Sequence, residues 1–281
     1  MIRLSVSNYS FEAIPLDGTL AIARAMGFNV VDIGGFHARG RCNFEPDDVG
    51  ADPEKQAAIL NPLLKKHQLV AGDFFVQFGA DPVERSMNDP DPAVHRHNLA
   101  SFPGIVRFCQ LIGAHGITIL PGVDHPQRSL AENLDASASM LPNFVKLAHD
   151  GGLALLFEPH MGSVTVTPER AIDLCQRVPG IKVALDYTHF LVQYIPVDRV
   201  HKLIPYAGLV HVRQARPGKL QTRDIEGTLD YVDIVQRLKA ASYDGFLSLE
   251  YVSSDWYDGR QIDILSETMA TKAVLEPYVS L

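Results

Sequence analysis

Eight short apolar, β-branched stretches recur along the chain, and between them the apolar residues change step from two to three or four. The stretches are RLSVSN (3–8), VVDIGG (30–35), LVAGDFFV (69–76), ITILPG (117–122), LALLFE (153–158), KVALDY (182–187), GLVHVR (208–213) and FLSLEY (246–251). Helical spacing fills intervals such as 18–28, 92–114, 134–152, 168–178 and 229–245, with Pro103 predicting a kink or break in the second. Several of these patterns end at a glycine just before the next strand, as helix C-termini prefer. Strand alternating with helix eight times in 281 residues is the sequence form of a single (β/α)8 TIM barrel, one domain over 1–281. The rival is a doubly wound open sheet, whose first turn usually carries a glycine-rich phosphate loop. Here that turn reads SNYSFEAIPLDG (7–18), with neither GxGxxG nor a P-loop.

Such a barrel collects its active site at the C-terminal ends of its strands. In the second half of the chain those ends carry Glu158 and His160, Asp186 and His189, His211 and Arg213, then Glu250. Side chains alternate along a strand, so Ala154, Leu156 and Glu158 share one face, as do Phe246, Ser248 and Glu250. If the lower members fill the barrel, the last ones point into its mouth. Two glutamates, an aspartate and a histidine from four consecutive strands then meet. Three carboxylates crowded together resist ionising, and a divalent cation removes the conflict. A single acidic strand end is usually a solvated loop residue or a helix cap, but four in succession, each after an apolar run, predict a metal site. Carboxylate-rich ligation favours Mn²⁺, with Mg²⁺ or Co²⁺ next and Zn²⁺ last.

Composition narrows the partners. The formal charge is −8, from 25 basic and 33 acidic residues, with no basic stripe for nucleic acid. No apolar run is long enough to span a bilayer, and the N-terminus MIRLSVSNYSF enters a strand pattern at once, so no signal peptide or membrane partner is expected. Cys42, Cys109 and Cys175 are odd in number and without a CxxC pair; Cys109 and Cys175 read as core thiols, which suits a cytoplasmic location. Association of identical chains is left open.

The chain resembles the sugar phosphate isomerase/epimerase superfamily with the xylose-isomerase-like barrel, which includes ketose 3-epimerases, inosose isomerases and dehydratases, and endonuclease IV. The resembling pieces are FEPH (157–160), LDYTHF (185–190), VHVR (210–213), EGTLDYVDIVQRLKAASYDGFLSLE (226–250) and LIGAHGITILPG (111–122). By motif, the resemblance implies Glu158, Asp186, His211 and Glu250 as metal ligands and His189 as a substrate contact. It implies an arginine on the substrate oxygens as well: Arg216 fits the usual offset slightly better, while Arg213 shares a strand face with His211. The endonuclease branch needs further histidines for a trinuclear zinc site; strand 3 ends DFFVQFG without one, and His115 precedes strand 4, at the wrong end of the barrel.

The implied chemistry moves a proton at a carbon beside a carbonyl or hydroxyl of a small sugar or polyol. Glu158 and Glu250, from strands 5 and 8, would flank the substrate as the two proton carriers. Return to the opposite face epimerises, and return to the neighbouring carbon interconverts aldose and ketose. Expulsion of a β-hydroxyl, with His189 or His160 as the acid, would instead make the chain a lyase of a keto-inositol or 3-keto sugar. A non-catalytic barrel would have little reason to keep all four ligands. Tyr9, Phe11, Phe36, Phe75, Trp256 and Tyr257 are candidate walls of a sugar pocket, with Trp256 foremost because it sits on a loop just after strand 8.

Overall fold

The computed structural model describes residues 1–253 and 261–279. Eight parallel strands close into a barrel in sequence order. They are β1 (Arg3–Ser7), β2 (Val30–Phe36), β3 (Val70–Gln77), β4 (Gly116–Ile119), β5 (Ala154–Phe157), β6 (Lys182–Asp186), β7 (Ala207–Val212) and β8 (Phe246–Leu249). Closure is made by β1 on β8, with Arg3 beside Phe246 and Ser5 beside Ser248. The helices are α1 (Leu16–Ala25), α2 (Pro46–Ala51), α3 (Pro53–His67), α4 (Pro92–Ile112), α5 (Leu130–Asp150), α6 (Pro168–Arg177), α7 (Thr188–Leu191), α8 (Val197–Val200), α9 (Tyr231–Ala240) and α10 (Ile264–Leu275). None among the described residues is long and apolar enough to cross a membrane.

Local chemistry sets the helix ends. Asp91 caps α4 by accepting from the Ala93 N–H, and Gly113 ends it with a left-handed φ of 73°. Helix α5 starts four residues before its apolar pattern because Ser129 and Glu132 form a capping box. Pro103 does not break α4, which runs as one helix from Pro92 to Ile112. Beside it, a Cβ on Gly104 would lie 2.0 Å from the Gly50 carbonyl oxygen, so bare backbone is required where α2 meets α4.

Strand residues such as Val31, Ile33, Phe74, Ile117, Phe157 and Leu185 are buried in the large outer core with the helices. The alternate residues face the barrel axis. At the bottom Val30, Leu156, Ala184, Leu209 and Phe246 form a separate apolar plug. The Arg3 guanidinium stacks 4.0 Å from the Phe246 ring centre, and His115 lies 5.2 Å from it, at the end remote from the strand C-termini. Above the plug the interior turns polar, and above that layer lies the site.

Candidate metal centre and active site

The strand ladder carries the two glutamates one residue past their strands. The Glu158 N–H donates to the Ile119 carbonyl and the Glu250 N–H to that of Val212, both at 3.0 Å. Asp186 ends β6 and pairs in register with His211 on β7. One ligand-capable atom from each of Glu158, Asp186, His211 and Glu250 therefore lies within 4.8 Å of the others, and all four residues are buried.

His211 Nδ1 lies 2.6 Å from Glu158 Oε1 and 3.4 Å from Glu250 Oε2. Burial works against charge on this imidazole, but Glu250 and the hydrogen bond to Glu158 outweigh it and raise its pKa to about 10. Burial likewise opposes ionisation of Glu158, yet the hydrogen bond from His211 holds its carboxyl below the usual range. For Glu250 burial wins, and its pKa is pushed up to about 7. Asp186 stays below the ordinary aspartate value despite burial, chiefly through the charge of Arg213.

Arg213 is a hub for this cluster. Its Nη2 donates to Asp186 Oδ2 at 2.5 Å, its Nη1 to the Glu250 carbonyl at 3.1 Å and its Nε to Thr188 Oγ1 at 3.1 Å. Arg213 Nη2 also reaches His189 Nε2 at 3.3 Å, and a guanidinium can only donate, so that nitrogen accepts. Burial lowers the His189 pKa to about 4, which keeps the ring neutral. His160 Nδ1 lies 2.7 Å from the Met161 carbonyl oxygen, which can only accept. Its Nε2 consequently carries the lone pair, and it is buried and without a hydrogen-bond partner.

A cavity of about 670 Å³ opens over these groups, lined at its base by Glu158, His160, His189, Arg213 and Glu250. Tyr9, Phe36 and Phe75 form one wall as an edge-to-face trio with ring centres 5.0–6.0 Å apart. Phe11 packs in the outer core instead. Trp256 and Tyr257 lie outside the described residues. Arg216 stands exposed in a tight turn, its N–H on the Lys219 carbonyl, and is not among the residues lining the cavity. The arginine brought to the cluster is Arg213, as the period-two alternation from His211 requires.

Two groups of residues went unread in the sequence. Arg39 and Arg41, on the loop after β2, line the cavity mouth, and Arg39 Nε pairs with Glu12 Oε2 at 3.2 Å. Asp32 and Asp73 are buried inside the barrel and do not line the cavity. Their signal was present: each is a carboxylate in the middle of an apolar strand rather than at its end.

The donor set fits a hard or borderline divalent cation: three carboxylates and one imidazole, buried, with Glu250 Oε2 making no hydrogen bond. Such an ion would replace the proton of His211 as the charge that balances the carboxylates.

The sequence model of the xylose isomerase-like TIM barrel matches residues 20–273. An uncharacterized protein of Methanocaldococcus jannaschii is 25% identical over 162 residues, 52% of this chain and 55% of that protein, so the chain spans about half the length of the curated relative it matches. Among solved structures, D-psicose 3-epimerase from Clostridium cellulolyticum superposes with a TM-score of 0.76 at 15% identity, over 100% of both chains. The IolI protein with a bound zinc atom gives 0.73 at 16% identity, again over 100% of both. The probable 3-DHS dehydratase AsbF from Bacillus anthracis gives 0.69 at 17%, over 98% of each. At these identities the three likenesses show the fold alone.

Proposed function

The chain belongs to the xylose isomerase-like TIM-barrel family, and on that premise we propose that it is a divalent-metal-dependent isomerase or epimerase of a small sugar, ketose or inosose. One observation carries the reading. Glu158 and Glu250, from β5 and β8, border the same buried imidazole with Asp186 beside them, and in the metal-free protein their environments push their protonation apart, Glu158 downward and Glu250 up to about 7. Two carboxylates converging on one buried site are what a two-carboxylate proton transfer needs.

Glu158, ionised, takes the proton from the carbon beside the substrate carbonyl. Glu250, on β8, faces the same site and returns a proton from the other side. Glu158, Asp186, His211 and Glu250 would hold a divalent cation, proposed as Mn²⁺, which would supply positive charge beside the substrate oxygens. Arg213 holds Asp186 and Glu250 in place, and its bonds to them leave it little reach toward substrate. His160 presents an unprotonated Nε2 to the cavity and accepts a hydrogen bond from a substrate hydroxyl, which the neutral His189 ring also contacts. The aromatic trio covers the apolar face of the sugar.

The test is turnover of a panel of ketoses, inososes and 3-keto sugars with Mn²⁺ in D₂O, read by NMR and mass spectrometry. The expected product carries deuterium at the carbon beside the carbonyl and has lost no water. A product lighter by one water makes the protein a lyase on the same carboxylates. Purified protein that takes up no stoichiometric cation refutes the metal reading itself.

A further inference from the structure

We propose that Asp73, braced by Asp32, is the positioning residue for the His211 imidazole and sets the tautomer in which that ring ligates a divalent cation. The inference rests on the metal-site reading above and adds two residues to it.

An imidazole that gives its Nδ1 lone pair to a cation keeps its proton on Nε2. In His211 the nitrogen facing the carboxylates is Nδ1. Nε2, on the other edge of the ring, is buried and has no hydrogen-bond partner. A buried N–H without an acceptor is costly, and metal-bound histidines almost always pass that proton to a carboxylate, a carbonyl or water.

The acceptor is supplied by the polar interior beside the ring, where His211 pairs in register with Ser248 and Ser248 with Ser5. Ser5, Asp32, Asp73, Thr118 and Ser248 all stand inside the barrel at 5% exposure or less. Barrel interiors are normally filled by Val, Ile and Leu, so two carboxylates here need a reason. Asp32 is fully engaged: Ser5 Oγ donates to its Oδ2 and the Asp73 backbone N–H to its Oδ1, each at 2.7 Å. Asp73 Oδ2 is buried and makes no close hydrogen bond; Thr118, whose hydroxyl also lacks a close partner, is the neighbour already acting on that carboxyl. The positive charge of His211 acts on both carboxyls. The interior thus holds a carboxylate oxygen without a close hydrogen bond, within reach of the His211 charge, and an imidazole nitrogen lacking an acceptor. We assign them to each other, directly or through one bridging water.

The backbone is shaped for this layer. A Cβ on Gly72 would fall 2.1 Å from Asp32 Oδ1, so a side chain at 72 would expel the carboxylate that braces Asp73. The β2–β3 register also shifts between Val31 and Ile33, at Asp32, a bulge of the kind that re-aims side chains beside active sites.

The test compares Mn²⁺ binding by calorimetry in the wild-type chain, Asp73→Asn and Asp73→Leu, with the visible spectrum of bound Co²⁺ as a readout of coordination. The amide still accepts a hydrogen bond without the charge, and Leu removes the acceptor. The expected Mn²⁺ affinity falls in that order, by about ten- to a hundredfold at the Leu variant, with an altered Co²⁺ spectrum. Mn²⁺ affinity within twofold of wild type in both variants, with the spectrum unchanged, overturns the assignment and leaves the metal site intact. A wild-type chain that binds no cation overturns both. Should the variants not fold, a structure of the Mn²⁺-loaded wild type decides. Nε2 on Asp73, or on a water held by Asp73, supports the assignment; ligation through Nε2, or another acceptor for it, overturns it.

Discussion

Replacing Arg213 by Met removes the one guanidinium inside the cluster while keeping much of its volume. The side chain is 3% exposed and donates to Asp186 Oδ2, the Glu250 carbonyl and Thr188 Oγ1. Its loss leaves Asp186 ionised with weaker compensation, next to Glu158 and Glu250. Breaking a buried ion pair by deleting one partner costs about 3–5 kcal/mol. For a domain of this size each kcal/mol moves Tm by about 2 °C, so the metal-free variant should melt roughly 6–10 °C below wild type. A bound cation supplies positive charge to the same carboxylates, so saturating Mn²⁺ should narrow that gap. Thermal melts in EDTA and in Mn²⁺, wild type against variant, measure both numbers. A loss below about 2 °C in EDTA, or a gap that widens with Mn²⁺, would show that Arg213 is not the counter-charge of the cluster. Arg213→Lys should recover only part of the stability, because an ammonium cannot reproduce the fork to Asp186 and Glu250.

Glu158→Gln and Glu250→Gln should each reduce kcat far more than they weaken Mn²⁺ binding, since each glutamate is proposed as ligand and proton carrier; near-normal kcat with bound metal in Glu250→Gln would refute the two-carboxylate scheme. Asp73 offers a pH test in the metal-free chain. Burial and the neighbouring Asp32 push its pKa from 3.8 up to about 7, so the folded state holds the proton more tightly than the unfolded state does. Ionising it therefore costs folded-state stability as pH rises from about 4 to 7, and the cost is absent below that window. Asp73→Asn, which removes the titrating group, should accordingly raise Tm more at pH 8 than at pH 4; equal shifts at both pH values would show that Asp73 carries no such penalty.

The barrel and the convergence of Glu158, Asp186, His211 and Glu250 were legible because both follow from period. Apolar runs of four to eight residues alternate with helical spacing, and period two places Glu158 and Glu250 on the inward face of their strands. The same rule puts Arg213 beside His211, and Arg216 seemed the better choice only by its offset in relatives; here a tight turn with Lys219 carries it out to solvent. Pro103 predicts a kink or break, and α4 runs through it as one helix without a break. Propensity loses there to packing, because buried Phe102, Ile105 and Val106 and the close approach of Gly104 to α2 anchor the helix in the core on either side of the proline. Asp32 and Asp73 were hidden for a different reason. Inside an apolar strand a lone carboxylate reads as noise, and its meaning depends on which neighbours the closed barrel sets around it. Ser5, Gly72 and His211, distant in sequence, meet it only through the closure of the sheet. A residue whose role is to orient a ligand has no motif of its own; it becomes visible where a buried donor and a buried acceptor are both left without a partner.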